Sequence, residues 1–258
     1  MPFADHQGVR IYYEVEGEGP PILLAHGLTG NTTFWRAYGY VEPLKDKFRV
    51  ILFDARGHGK SDKPYEPAAY LLRPMASDAL AVLDALEIDR AHFWGYSMGA
   101  SIGFGLAQQF PERLTSLIAG GVDPLYSPGE NAKPSPLLEI FRRGLTEGAD
   151  AVVEGMRAWR GSMDQQWEEQ LRGLDLQAMV AALDPARPRW SLMNGLPQMN
   201  LPCLLYAGEL EDAHRNGPAA AHQMPDARFV SLPGLDHGGA GVTVDAIMPH
   251  VLAFLADL

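Results

Sequence analysis

Short apolar runs separated by amphipathic stretches organise this chain. Residues 21–25, 50–53, 91–94, 117–121 and 203–208 are each nearly unbroken in apolar character. Runs of that length without alternation mark strands buried on both faces. Residues 9–13 (Val-Arg-Ile-Tyr-Tyr) alternate instead, as an edge strand does, and 228–232 (Arg-Phe-Val-Ser-Leu) reads as a further strand. Helical periodicity appears between them, over 75–86 and 97–109. Strands alternating with helices predict a doubly wound α/β fold around a mostly parallel sheet, with ligands at the carboxyl ends of the strands.

From 124 to 200 the texture changes. Strand patterns vanish and helical ones cover 136–146, 149–159, 165–174 and 176–183. Seven of the 20 prolines and three of the five tryptophans fall here. This predicts a core built from 1–123 and 201–258, with 124–200 a helical cap inserted between two core strands. Trp159, Trp167 and Trp190 are the candidate substrate contacts of that cap; as a plainer alternative, they seal it onto the core.

The densest chemistry is the run Gly95-Tyr96-Ser97-Met98-Gly99, between an apolar strand and the helical pattern that follows. Glycines two before and two after the serine let the chain reverse sharply. The hydroxyl then stands above the end of a strand, near the start of a helix, where free N–H groups favour a developing anion. A serine needs a base to take its proton, and the base needs an acid to hold its tautomer. His237 follows the strand at 228–232 in a glycine-rich loop, and the strand 203–208 ends at Glu209-Leu210-Glu211-Asp212. The order serine, acid, histidine is therefore available.

Three further segments accompany this run: Ile22-Leu23-Leu24-Ala25-His26-Gly27-Leu28, Phe53-Asp54-Ala55-Arg56-Gly57-His58-Gly59-Lys60-Ser61, and Gln109-Phe110-Pro111-Glu112-Arg113-Leu114. Together, nearly end to end, they resemble the α/β-hydrolase fold superfamily. The resemblance implies an eight-stranded, mostly parallel sheet with a helical cap after the sixth strand. It implies Ser97 as nucleophile, His237 as base, and the backbone N–H groups of Leu28 and Met98 as the oxyanion hole. For the acid, counting three residues from Gly208 gives Glu211; Asp212 is one step away, and the end of the preceding strand offers Asp123. The implied activity is cleavage of a small, largely apolar ester or lactone, as in carboxylesterases and enol-lactonases. Carbon–carbon bond hydrolases and cofactor-free perhydrolases or haloperoxidases use the same triad, and a small-molecule receptor would retain it. A serine at the elbow argues against the dehalogenases and epoxide hydrolases that use aspartate there.

Composition narrows the classes. A chain of 258 residues with 47% hydrophobic and 21% charged residues folds as a globular domain. A net charge of −11 argues against nucleic acid and anionic membranes as partners and leaves a small molecule. The 124–200 segment carries eight Lys/Arg against ten Asp/Glu, so it forms no basic funnel. The single cysteine, Cys203, excludes an intramolecular disulfide and lies in an apolar strand. The first residues lack a basic then apolar signal pattern, which predicts a cytoplasmic protein. No metal or cofactor is expected, because no histidine pair has ligand spacing. Nothing in the composition speaks to oligomeric state. Of the remaining histidines, His6 and His222 are expected in solvent, His26 as a brace of the oxyanion loop, His58 as structural, His92 in the core or at an edge, His250 in the last helix, and His214 as a candidate for the cleft wall.

Overall fold

The computed structural model describes residues 2–126, 135–160, 163–186 and 191–258. Eight strands form one sheet: β1 (Phe3–His6), β2 (Val9–Glu16), β3 (Pro21–Ala25), β4 (Arg49–Phe53), β5 (Ala91–Tyr96), β6 (Leu114–Gly120), β7 (Cys203–Gly208) and β8 (Ala227–Leu232). Their spatial order is β1-β2-β4-β3-β5-β6-β7-β8. The first two pairings, β1 with β2 and β2 with β4, are antiparallel; all others are parallel. Parallel neighbours need crossovers, and helices supply them.

The unbroken apolar runs follow from burial on both faces. Leu23, Ile51, Phe93, Leu117 and Leu205 point into one core layer, shared with α3 (Leu72–Ala85), α4 (Met98–Gln109) and α9 (Asp212–Gln223). Ile22, Leu24, Val50, Leu52, Trp94, Ile118 and Leu204, their neighbours in sequence, point into the other, shared with α1 (Thr32–Ala37), α2 (Val41–Lys45) and α11 (Val244–Ala256). Both sets of side chains are fully covered, so alternation of polarity is absent. At β2, on the antiparallel side, Ile11 and Tyr12 are buried while Arg10 is exposed.

Between β6 and β7 the chain runs through α5 (Pro136–Glu147), α6 (Ala149–Arg160), α7 (Gln165–Arg172) and α8 (Leu176–Ala182). Asp164 and Asp175 cap α7 and α8, accepting from the N–H groups of Trp167 and Ala178. These helices reach back to the core loops. Trp167 Nε1 donates to Thr29 Oγ1 at 3.1 Å, and Tyr38 and Tyr65 donate to Asp164 and Asp175.

Four features differ from the sequence expectation. Strand β1 was not foreseen, being only four residues long, and β6 begins at Leu114 rather than 117. Residues 212–223, to which the sequence pattern assigned no element, are helix α9 despite Pro218, because Ala213, Gly217, Ala220 and Ala221 pack a small-residue face onto the sheet. His6, expected in solvent, hydrogen-bonds Asp78 at 2.7 Å. Asp78 also accepts Arg56 Nε at 2.6 Å, so this cluster ties β1 and α3 to the turn after β4.

Candidate active site

Ser97 sits between β5 and α4 with φ +54° and ψ −111°, a conformation a side-chain-bearing residue adopts only under constraint, at a cost of about 1–3 kcal/mol. The neighbouring glycines show what holds it. A Cβ on Gly99 would lie 2.0 Å from the Ala25 carbonyl oxygen, and one on Gly95 would lie 2.3 Å from the Gly99 carbonyl. The turn is thus pressed against β3 with no room for side chains. The Ser97 N–H donates to Gly120 O at 2.8 Å. Ser97 occupies the N-cap position of α4 without capping it, and its Oγ lies instead 3.1 Å from His237 Nε2.

His237 opens α10 (His237–Val242), whose N-cap is Asp236. Its backbone oxygen accepts from the buried Tyr96 hydroxyl, and its ring lies 5.2 Å from the Tyr96 ring. Burial and the nearby Glu211 carboxylate push the Tyr96 hydroxyl well above its usual range, so it remains a donor. On the far side of the imidazole, Nδ1 lies 2.6 Å from Glu211 Oε2. Glu211 is 8% exposed, and its Oε1 accepts the Gly208 N–H at 2.6 Å. An ionised carboxylate here requires a proton on Nδ1, which leaves the Nε2 lone pair facing Ser97.

The other acidic candidates point elsewhere. The Asp212 side chain is 93% exposed beside Arg215. Asp123 accepts from the Leu125 N–H and from Asn216 Nδ2 at 2.9 and 2.7 Å. His214, the candidate for the cleft wall, instead bonds Ser231 at 2.8 Å and packs edge-on against Phe229, because α9 turns that face toward β8.

The loop carrying Leu28 is braced from behind by the turn after β4. His26 Nε2 accepts the Ala55 N–H at 3.1 Å, so its proton is on Nδ1, which donates to Gly27 O at 2.8 Å. Burial, reinforced by His58, lowers the His26 pKa to about 3. Burial also lowers that of His58, whose two ring nitrogens face the carbonyl oxygens of Arg56 and Leu28. Asp54 joins the segments by accepting from the N–H groups of Thr32 and Lys60 at 2.6 and 2.8 Å. Leu28 and Met98 are both half-buried beside Ser97, and Met98, as the first residue of α4, has an N–H without an intrahelical acceptor.

Two chambers meet at Ser97 and Leu28. One, of about 250 Å³, contains His237 and is walled by Phe34, Tyr38, Met156 and Trp159. The other, of about 500 Å³, contains Met98 and is walled chiefly by apolar side chains such as Leu72, Met75, Ile102 and Leu192. Trp159 and Trp167 both line the first chamber; Trp190 lies outside the described residues. Tyr38, Met156, Arg160 and Met163 also line it and escaped sequence reasoning. Only Arg160, next to Trp159, carried a usable signal.

Comparison with known proteins agrees with this fold. A putative carbamate hydrolase, RutD, from Azorhizobium caulinodans is 40% identical over 117 residues, 45% of this chain and 43% of that protein. The chain thus spans less than half the length of the curated relatives it matches at this level of identity. Among solved structures, a hydrolase from Pseudomonas aeruginosa PA01 superposes with a TM-score of 0.81 at 26% identity, over 98% of this chain and 97% of that one. The enol-lactonase from Burkholderia xenovorans LB400 superposes with a TM-score of 0.79 at 26% identity, over 99% and 100%. Residues 20–187 match the family described as the alpha/beta hydrolase fold, and the chain belongs to that family.

Proposed function

We propose that this protein is a serine hydrolase that cleaves a small, largely apolar carboxylic ester or lactone through an acyl-enzyme on Ser97. One observation carries the reading: Glu211, His237 and Ser97 form a continuous line of hydrogen bonds that ends at a strained serine facing two chambers. A carbamate and an enol-lactone, the compounds in the relatives' names, both present an acyl carbon bonded to a heteroatom leaving group, which supports acyl-bond cleavage here.

Ser97 Oγ forms a bond to the carbonyl carbon while its proton passes to His237 Nε2. Glu211 stays ionised, orients the ring and stabilises the imidazolium. The N–H groups of Leu28 and Met98 hold the oxyanion, each worth ~3–4 kcal/mol. Collapse breaks the bond to the leaving oxygen, which takes the proton from Nε2. Water then attacks the acyl carbon, giving its proton to His237, and Ser97 departs with that proton restored.

In this reading 124–200 is a lid over the core formed by 1–123 and 201–258, and its tryptophans set substrate size. A panel of acyl esters and lactones graded by chain length tests the assignment, with Ser97→Ala as control. Turnover that Ser97→Ala abolishes supports it. Turnover confined to carbon–carbon substrates would move the same residues to that chemistry, and stoichiometric labelling without turnover would indicate a receptor.

A further inference from the structure

We propose that Arg160 binds a carboxylate on the leaving-group side of the substrate. The inference rests on the hydrolase reading and adds one charged group to its otherwise apolar substrate. Arg160 ends α6, is half-buried, and lines the chamber that contains Ser97 and His237. Its guanidinium carbon stands 4.7 Å above the centre of the Trp159 ring, which holds the planar group by stacking. A methyl group built on Gly238 would lie 3.7 Å from Arg160 Nη1, so the guanidinium runs alongside the residue next to the base.

Arg160 has no ion pair among the described residues, unlike the arginines around it. Arg157, one turn earlier, pairs with Glu168, and Arg172 pairs with Asp150. The chamber's own carboxylates are engaged elsewhere. Asp164 accepts from Tyr38 and from the Trp167 N–H, and Asp236 accepts from the Gly239 N–H. A half-buried guanidinium with open donors, fixed on an aromatic ring beside the reacting centre, is suited to a planar, forked acceptor.

The chamber also fixes which end of the substrate carries the charge. The leaving oxygen must take its proton from His237, which lies in the Arg160 chamber. The acyl chain then extends into the second chamber, beyond Met98, among Leu72, Met75, Ile102 and Leu192. The valence follows from the neighbours. Arg160 brings one positive charge, and the carboxylates of Asp164 and Asp236 in the same wall repel further negative charge, which favours a singly charged carboxylate over a doubly charged phosphate. Because the chain carries a net charge of −11, a local cation is also what an anionic substrate would need.

The test uses butanoate esters of ω-hydroxy acids of graded length, each paired with its uncharged carboxamide. The full chain should prefer the carboxylate member of the best pair by about tenfold to about a hundredfold in kcat/KM, the range expected of a charge-assisted fork. Arg160→Met should collapse that ratio toward one, chiefly through KM, and Arg160→Lys should retain part of it. Reading a ratio removes any general loss caused by disturbing α6. Calorimetric binding of the same pairs to Ser97→Ala, with and without Arg160→Met, needs no turnover. A carboxamide hydrolysed as well as its carboxylate by the unsubstituted protein overturns the Arg160 assignment and leaves the hydrolase reading standing. Absence of ester turnover with the binding ratio intact overturns the hydrolase reading instead. An unchanged ratio in Arg160→Met, in either assay, overturns the assignment.

Discussion

Glu211 holds His237 with one carboxylate oxygen, 2.6 Å from Nδ1, and is itself held by the other, which accepts the Gly208 N–H at 2.6 Å. Both oxygens are therefore committed, and the carboxylate is fixed to the end of β7. Glu211→Gln should keep the fold but cut kcat by orders of magnitude, with an upper reference of about 10⁴ from serine proteases. Asp212→Asn and Asp123→Asn should change it by less than about threefold, because neither side chain reaches the imidazole. Steady-state kcat for the three variants on one activated ester decides the assignment.

Gly99 lies against β3 with no space for a Cβ. The obstacle is the Ala25 backbone, which cannot swing aside as a side-chain tip would. Gly99→Ala should destabilise the protein by about 3 kcal/mol or more. Urea unfolding monitored by tryptophan fluorescence measures it, and a midpoint equal to that of the unsubstituted protein would show that the turn relaxes at little cost.

His26 should make stability depend on pH. Its pKa is about 3 in the folded chain against an ordinary value of 6.5, so the fold favours the neutral ring. A depressed histidine contributes stability that is fully present above the unfolded pKa and is lost as pH falls toward the folded one. Between about pH 6.5 and pH 3 this group should therefore reduce stability, by up to about 1.4 kcal/mol per pH unit. His26→Asn should be less stable at neutral pH yet show a shallower decline toward acid. Urea titrations at several pH values compare the two slopes.

Trp167 touches both the chamber and the loop bearing Leu28, through its bond to Thr29, whereas Trp159 is 41% exposed. Trp167→Ala should shift the preference between short and long acyl esters more than Trp159→Ala does. The ratio of kcat/KM for a short and a long ester is the readout, and equal ratios in all three proteins would mean that both tryptophans only seal the helices onto the core.

Much of the sheet was legible because its central strands are covered on both faces and so appear as unbroken apolar runs. Strand β1 and helix α9 lack that signature. The first is short, and the second packs through alanines and a glycine that carry little hydrophobic contrast. At the site, the glycines around Ser97 announced a tight turn because that backbone geometry is local. The choice among Glu211, Asp212 and Asp123 was not local. It depends on how a loop after β7 meets one after β8, which spacing alone does not specify. Tyr38 was hidden for the same reason, since it reaches the chamber only once α1 has docked, whereas Arg160 stood next to a residue the sequence did single out, Trp159.

The central claim is that Ser97 is the nucleophile. A rival hydroxyl is that of Ser101, one helical turn on, which lines the second chamber and donates to Ser97 O at 3.4 Å. Treating the native protein with a fluorophosphonate probe, then mapping the modified peptide by mass spectrometry, separates the two. The account predicts a single adduct on Ser97 that disappears in Ser97→Ala along with ester turnover, while the circular dichroism spectrum is unchanged. An adduct on Ser101, or labelling and turnover that survive in Ser97→Ala, would contradict it.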